Sequence, residues 1–131
     1  MLELGIIGHQ ELTVTDELLA CKVGSGLVAV YATPMMIAGI EGTAAASVAP
    51  YLEEGQTTVG TQMNVSHVAA TPAEMKVYFD TKLVEIAPNG KILTFAVAAY
   101  DEAGLIGEGT HQRAIVAKER FEAKAQSKLD K

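Results

Sequence analysis

The run Thr33-Pro34-Met35-Met36-Ile37-Ala38-Gly39-Ile40-Glu41-Gly42-Thr43-Ala44-Ala45-Ala46-Ser47-Val48-Ala49-Pro50 decides how the rest of the chain is organised. Ile37, Ile40, Ala44 and Val48 recur at the spacing of one helical face. Thr33 is suited to cap the free N–H groups at the start, and proline just inside a helix wastes no donor. Pro50 and Gly55 bound the end. The expectation is one long, mostly buried helix. Gly39 and Gly42 weaken it intrinsically, which points to close approach by another backbone or a ligand.

Outward from this helix the chain reads as sheet. His9–Val14 alternates apolar with polar and suits a first strand. Leu27–Tyr31 is short, apolar and partly β-branched. Thr57–Val68, Lys76–Ile86, Ile92–Tyr100 and Ile106–Lys118 read as four more strands, with turns at Pro88-Asn89-Gly90 and Asp101–Gly104. Phe121–Leu129 reads as a closing helix. Parallel strands need long crossovers, and after residue 57 there is no room for them. The order strand, helix, antiparallel meander defines an α+β protein of one domain, residues 1–131.

Composition narrows the function. The chain has 131 residues, 49% of them apolar, enough for a real core. Its formal charge of −6 argues against nucleic acid, which normally needs a basic face. Lys118, Arg120, Lys124, Lys128 and Lys131 nevertheless gather at the C-terminal end. They read as a solvated helix or as a local attraction for a phosphorylated cofactor. Val23–Ile40 is uncharged but is broken by Gly24, Gly26, Pro34 and Gly39, so it is expected to be buried protein rather than a membrane span. Cys21 is the only cysteine, and Glu3 and Gly5 interrupt any signal-like apolar run, so a reducing cytoplasm is expected. Gly24-Ser25-Gly26-Leu27-Val28-Ala29 fits a dinucleotide fingerprint but lacks the surrounding βαβ unit. His9 and His111 show no metal-ligand spacing, and no metal is expected.

Three residues stand out chemically. Glu41 is the only charge between Val23 and Leu52, and a carboxylate inside a buried helix is costly unless paired or functional. His67 lies near the end of a strand, where it reads either as a satisfied structural residue or as an acid/base group. Thr33 lies at the positive end of the helix dipole, where a hydroxyl caps, orients water or attacks. Thr33 and Glu41 are eight residues apart, about 12 Å along a straight helix, so they cannot touch within it. A fold-back loop, opposite ends of one reacting centre, or a second subunit would reconcile them.

Together, Ala32-Thr33-Pro34, Glu41, Ala49-Pro50-Tyr51-Leu52-Glu53, Val59-Gly60-Thr61, His67-Val68-Ala69-Ala70-Thr71-Pro72 and Gly107-Glu108-Gly109-Thr110-His111-Gln112-Arg113-Ala114 resemble the fluoroacetyl-CoA thioesterase-like branch of the hot-dog superfamily. The resemblance runs over residues 30–121. It implies a hot-dog fold, an antiparallel sheet wrapped around one long helix. It implies an acyl-CoA thioesterase with Thr33, Glu41 and His67 as catalytic hydroxyl, carboxylate and histidine, and with Gly60 and Arg113 beside the acyl group. It implies no cofactor beyond the CoA of the substrate. The implied assembly is a homodimer joined edge to edge, with a dimer of dimers as the larger alternative. One departure bears on the substrate. The fluoroacetyl-selective pattern carries aromatics before the catalytic hydroxyl, whereas here Leu18–Ala32 holds only Tyr31. A different small or medium acyl group is therefore expected. The rivals are a non-catalytic acyl-CoA binding module on the same fold, separated by turnover, and a hydratase, which would want an aspartate near His67 in sequence.

Overall fold

Two-residue alternation in the second half of the chain buries one face of each strand and leaves the other exposed. The computed structural model describes residues 1–130. Strands β1 (Ile7–Thr13), β2 (Gln56–His67), β3 (Lys76–Ile86), β4 (Ile92–Asp101) and β5 (Gly104–Ala117) form one antiparallel sheet in the order β1-β3-β4-β5-β2. Val77, Phe79 and Leu83 of β3 and Leu93, Phe95, Val97 and Ala99 of β4 point to one face and are buried. Against that face lies α2 (Thr33–Val48), which follows the single-turn α1 (Ala20–Val23). Met36, Ile40, Ala44 and Val48 of α2 are fully buried, as four side chains on one helical stripe should be. The result is a sheet curled around one helix, the hot-dog arrangement.

Gly39 makes this seam possible. A Cβ there would collide with the Phe79 ring, so the helix rests directly on the aromatic face. Gly42 has no such role, its nearest neighbour being the Gln10 side chain at 3.7 Å from a built Cβ.

Three local expectations are corrected. Thr33 is not the cap: Ala32 occupies that position with no side-chain cap bond, and Thr33 is already helical. Leu27–Tyr31 is not a strand. Gly24 takes a left-handed φ of 84°, and the chain loops back so that Ala20 N–H donates to the Val30 carbonyl (2.8 Å) and Cys21 N–H to that of Val28 (3.1 Å). Only Tyr31 forms a bridge, with Leu19. The last helix, α3 (Lys118–Gln126), starts three residues early, because Lys118 N–H bonds the Gly55 carbonyl (2.9 Å) and ends the β5–β2 ladder there. No helix among the described residues is long and apolar enough to cross a membrane.

Candidate active site

The start of α2 and the end of β2 are brought together by a loop built for the purpose. After His67 the chain leaves the sheet, and Thr71 ties it down. The Thr71 hydroxyl donates to the Asp101 carboxylate (2.7 Å), and the Thr71 carbonyl accepts from Tyr31 N–H (2.8 Å). Asp101 in turn accepts from the N–H groups of Ala103 and Gly104, closing the β4–β5 turn. Thr71 of the His67–Pro72 run is thus a structural anchor.

This holds Thr33 Oγ1 2.7 Å from His67 Nδ1. The pair opens on a cleft of about 340 Å³ walled by small side chains from Ala20 to Val30 and Val68 to Ala70, with Tyr31 as its one ring. Thr33 is exposed and His67 partly buried. Burial pushes the His67 imidazole below its ordinary value, and the neighbouring Ala69 carbonyl offsets part of that. Its Nε2 is buried without a protein partner. A neutral histidine beside a hydroxyl, at the mouth of a cleft, has the geometry a general base needs to take the hydroxyl's proton.

Glu41 lies elsewhere. It sits over Gly60 on β2, where a Cβ would fall 2.5 Å from its Oε2, so only glycine leaves this space for the carboxylate. Its side chain is 42% exposed, and the expected buried, costly carboxylate is instead a half-solvated one facing Arg113 at 4.0 Å. Within one chain Glu41 does not reach the Thr33–His67 pair, and a threonine, not a carboxylate, contacts His67 Nδ1.

Arg113 is the buried ion. Its Nε donates to Thr58 Oγ1 (2.8 Å), Nη2 to the Thr58 carbonyl (2.9 Å) and Nη1 to His111 Nε2 (3.1 Å). Burial pulls the guanidinium below its ordinary value, and Glu41 opposes this. His111 Nδ1 lies 2.8 Å from the Gln62 carbonyl, so Nδ1 carries the proton and Nε2 is left to accept from Arg113. Burial first, then Arg113, keep this imidazole neutral, against the Gln62 carbonyl and Glu41. Thr58 escapes a reading of the sequence by motif, and His111, though part of the Gly107–Ala114 run, is given no role by it. The signal was the two-residue spacing of His111 and Arg113, which puts both on the inner face of β5. Among the described residues no three His, Cys, Asp or Glu side chains cluster as a metal site.

A sheet wrapped on a single helix, with a hydroxyl–histidine pair at one end of that helix and a carboxylate at its middle, defines a hot-dog thioesterase. Comparison with known proteins narrows the class. The sequence model described as fluoroacetyl-CoA-specific thioesterase matches residues 14–119, and the chain belongs to that family. A fluoroacetyl-CoA thioesterase of Streptantibioticus cattleyicolor is 38% identical over 99 residues, spanning 76% of this chain and 70% of that one. A solved fluoroacetyl-CoA thioesterase superposes with a TM-score of 0.92 at 30% identity, over 98% of both chains. A thioesterase superfamily member of Thermus thermophilus gives 0.89 at 28% identity, over 99% of this chain and 95% of that one. A hot-dog-like protein of Thermanaerovibrio acidaminovorans shares the fold, with a TM-score of 0.84 at 18% identity over 95% and 91%. The protein is a thioesterase-type hydrolase.

Proposed function

We propose that the protein hydrolyses the thioester of a small or medium acyl-CoA without selectivity for the fluoroacetyl group. The observation that carries this is the 2.7 Å contact between Thr33 Oγ1 and His67 Nδ1 at the mouth of the cleft. Thr33 Oγ1 adds to the thioester carbonyl carbon as His67 Nδ1 takes its proton. The C–S bond then breaks and His67 returns the proton to the CoA sulfur. Water, deprotonated in turn by His67, adds to the Thr33 ester carbonyl; the C–O bond to Thr33 then breaks, His67 returns the proton to Thr33 Oγ1, and the acid is released. No cofactor is needed beyond the CoA of the substrate.

The wider acyl preference follows from the cleft wall. Tyr31, the only ring between Leu18 and Ala32, is 1% exposed and donates its hydroxyl to the Met35 carbonyl (3.1 Å). It contributes to the cleft wall but is almost wholly buried, so it cannot close over a substrate, and apart from Thr33 and His67 the rest of the wall is Ala, Gly, Ser and Val.

Glu41, Gly60 and Arg113 enter through a second copy. Strand β2 lies at the edge of the sheet and is 12 residues long, an edge that proteins seldom leave uncovered. Antiparallel self-pairing about a two-fold axis between Met63 and Asn64 sets Gly60, with Glu41 above it, opposite the partner's His67. The homodimer then encloses CoA between subunits, and pairing of dimers builds the larger form. Free, exposed Cys21 supports a reducing cytoplasm as the working location.

The test is steady-state hydrolysis of acetyl-, propionyl-, butyryl- and fluoroacetyl-CoA. The expected outcome is turnover with fluoroacetyl-CoA within about tenfold of acetyl-CoA in kcat/KM. Thr33→Ser is expected to remain active and Thr33→Val to be inactive. Equal activity of wild type and His67→Ala on every substrate would sink the proposal.

A further inference from the structure

The thioester chemistry uses the His67 end and the middle of β2 and leaves the opposite corner of the molecule unexplained. There α3, the β3–β4 turn and the start of β2 enclose a cleft of about 330 Å³ lined by Gln56, Lys91, Ile115, Val116, Ala117, Arg120, Phe121 and Lys124, of which the three cations and the ring matter. The chain has three phenylalanines. Phe79 and Phe95 are core residues, whereas Phe121 is 46% exposed and displays a ring in this cleft. Lys118 is paired with Glu122 (3.1 Å), but Lys91, Arg120 and Lys124 make no ion pair among the described residues. Arg120 and Lys124 are four apart and share a helix face. Lys91 is set by its turn, where its N–H donates to Asn89 Oδ1 (2.8 Å). Among the described residues the lining of this cleft holds no carboxylate, whereas Glu54 and Glu119 border the adjoining depression beside Arg120 and Glu53 the one beside Lys91, in a chain of net charge −6.

We propose that this cleft receives the phosphorylated adenosine end of CoA, with Phe121 against the base and Lys91, Arg120 and Lys124 facing the phosphates. The proposal rests on the thioesterase reading and extends it. Separated cations beside a flat apolar ring match a ligand that joins an aromatic base to several phosphate groups. Ala117 at the cleft is four strand residues from Arg113, about 13 Å. An extended pantetheine arm spans a gap of that order and leaves the thioester beside Gly60 and Glu41.

Calorimetric titration of the intact protein with adenosine 3′,5′-bisphosphate tests it, comparing wild type with the R120E/K124E double variant. Both substituted residues are exposed, and circular dichroism checks that α3 persists. The expected result is binding that weakens at least about tenfold in the variant and declines with salt. Absence of binding to wild type, or equal binding to both, overturns the proposal. A second arm compares acetyl-CoA with the acetyl thioester of N-acetylcysteamine, which lacks the nucleotide. The variant should lose about tenfold in the ratio of the two kcat/KM values. An equal loss on both substrates counts against the site. Failure of wild type to turn over either thioester would remove the thioesterase reading, while the bisphosphate titration still judges the cleft.

Discussion

His67 and His111 are both held neutral by burial, but for different ends. His67 keeps an accepting nitrogen for the Thr33 proton, and His111 keeps one for Arg113. The proposed mechanism requires unprotonated His67, whose pKa lies below the ordinary 6.5 because burial disfavours the cation. The rate should therefore hold as pH falls through 6.5 and decline only below it. A profile of kcat/KM against pH checks this. An acid limb at or above pH 6.5 would contradict the assignment, and His67→Gln should lower kcat by about 10²–10⁴-fold and flatten the limb. The same shifts act on stability with a worked sign. Below the unfolded value of 6.5 the unfolded chain binds more protons than the folded one at both histidines, so their contribution is complete above 6.5 and is lost as pH falls from there. Much of this centre was legible in the sequence: Thr33 and His67 do meet, and Gly60, Glu41 and Arg113 do gather. What the sequence hid is the division into two groups. Motif spacing names residues without saying which pairs touch, and the anchoring of the His67 loop depends on Thr71 and Asp101, thirty positions apart.

At the scale of elements, the seam between α2 and the sheet holds both the fold and the site, and two glycines separate the two functions. A Cβ on Gly39 would meet the Phe79 ring, with Cε2 at 2.6 Å, and that ring is locked in the core between helix and sheet. Gly39→Ala should therefore force the helix off the sheet and cost about 1–3 kcal/mol, read as a lower urea midpoint. A Cβ on Gly60 meets instead the free end of Glu41, which can swing into solvent. Gly60→Ala should leave the midpoint nearly unchanged and lower kcat/KM by tenfold or more, since the carboxylate is displaced. A large stability loss at Gly60, or none at Gly39, would show that the seam is misread. The helix and the four long strands were legible because periods of 3.6 and 2 are strong over such lengths, and Lys76–Ile86 coincides with β3 end to end. Leu27–Tyr31 misled because a short apolar run carries no period, and its hydrophobicity lines a cleft instead of a ladder. Helix α3 began early because its start is set by a backbone bond to Gly55, a contact that residue patterns do not reveal.

At the scale of the whole molecule, one chain carries every group of the proposed catalytic set yet does not assemble them. Thr33 and Glu41 are separated by about 12 Å of α2, and no rearrangement of a regular helix shortens that distance. A two-fold pairing of β2 edges solves the problem without moving either group, because antiparallel symmetry exchanges the two ends of the strand. In the proposed dimer Glu41 over Gly60 serves the partner's Thr33 and the partner's His67, and the reverse holds at the second site. This arrangement makes a complementation prediction that a self-contained site cannot imitate. Glu41→Gln and His67→Ala homodimers should each be nearly inactive. A dimer with one chain of each kind has one site with both defects and one site that is wild type throughout. Unfolding and refolding an equal mixture yields about half mixed dimers, each with one working site of two, so about a quarter of wild-type activity should return. Recovery should track the mixed-dimer fraction measured by native mass spectrometry. If each chain completes its own site, every site in the mixture carries one defect and activity stays at the level of the single variants. If the protein sediments as a monomer and remains fully active at nanomolar concentration, the shared site is excluded outright.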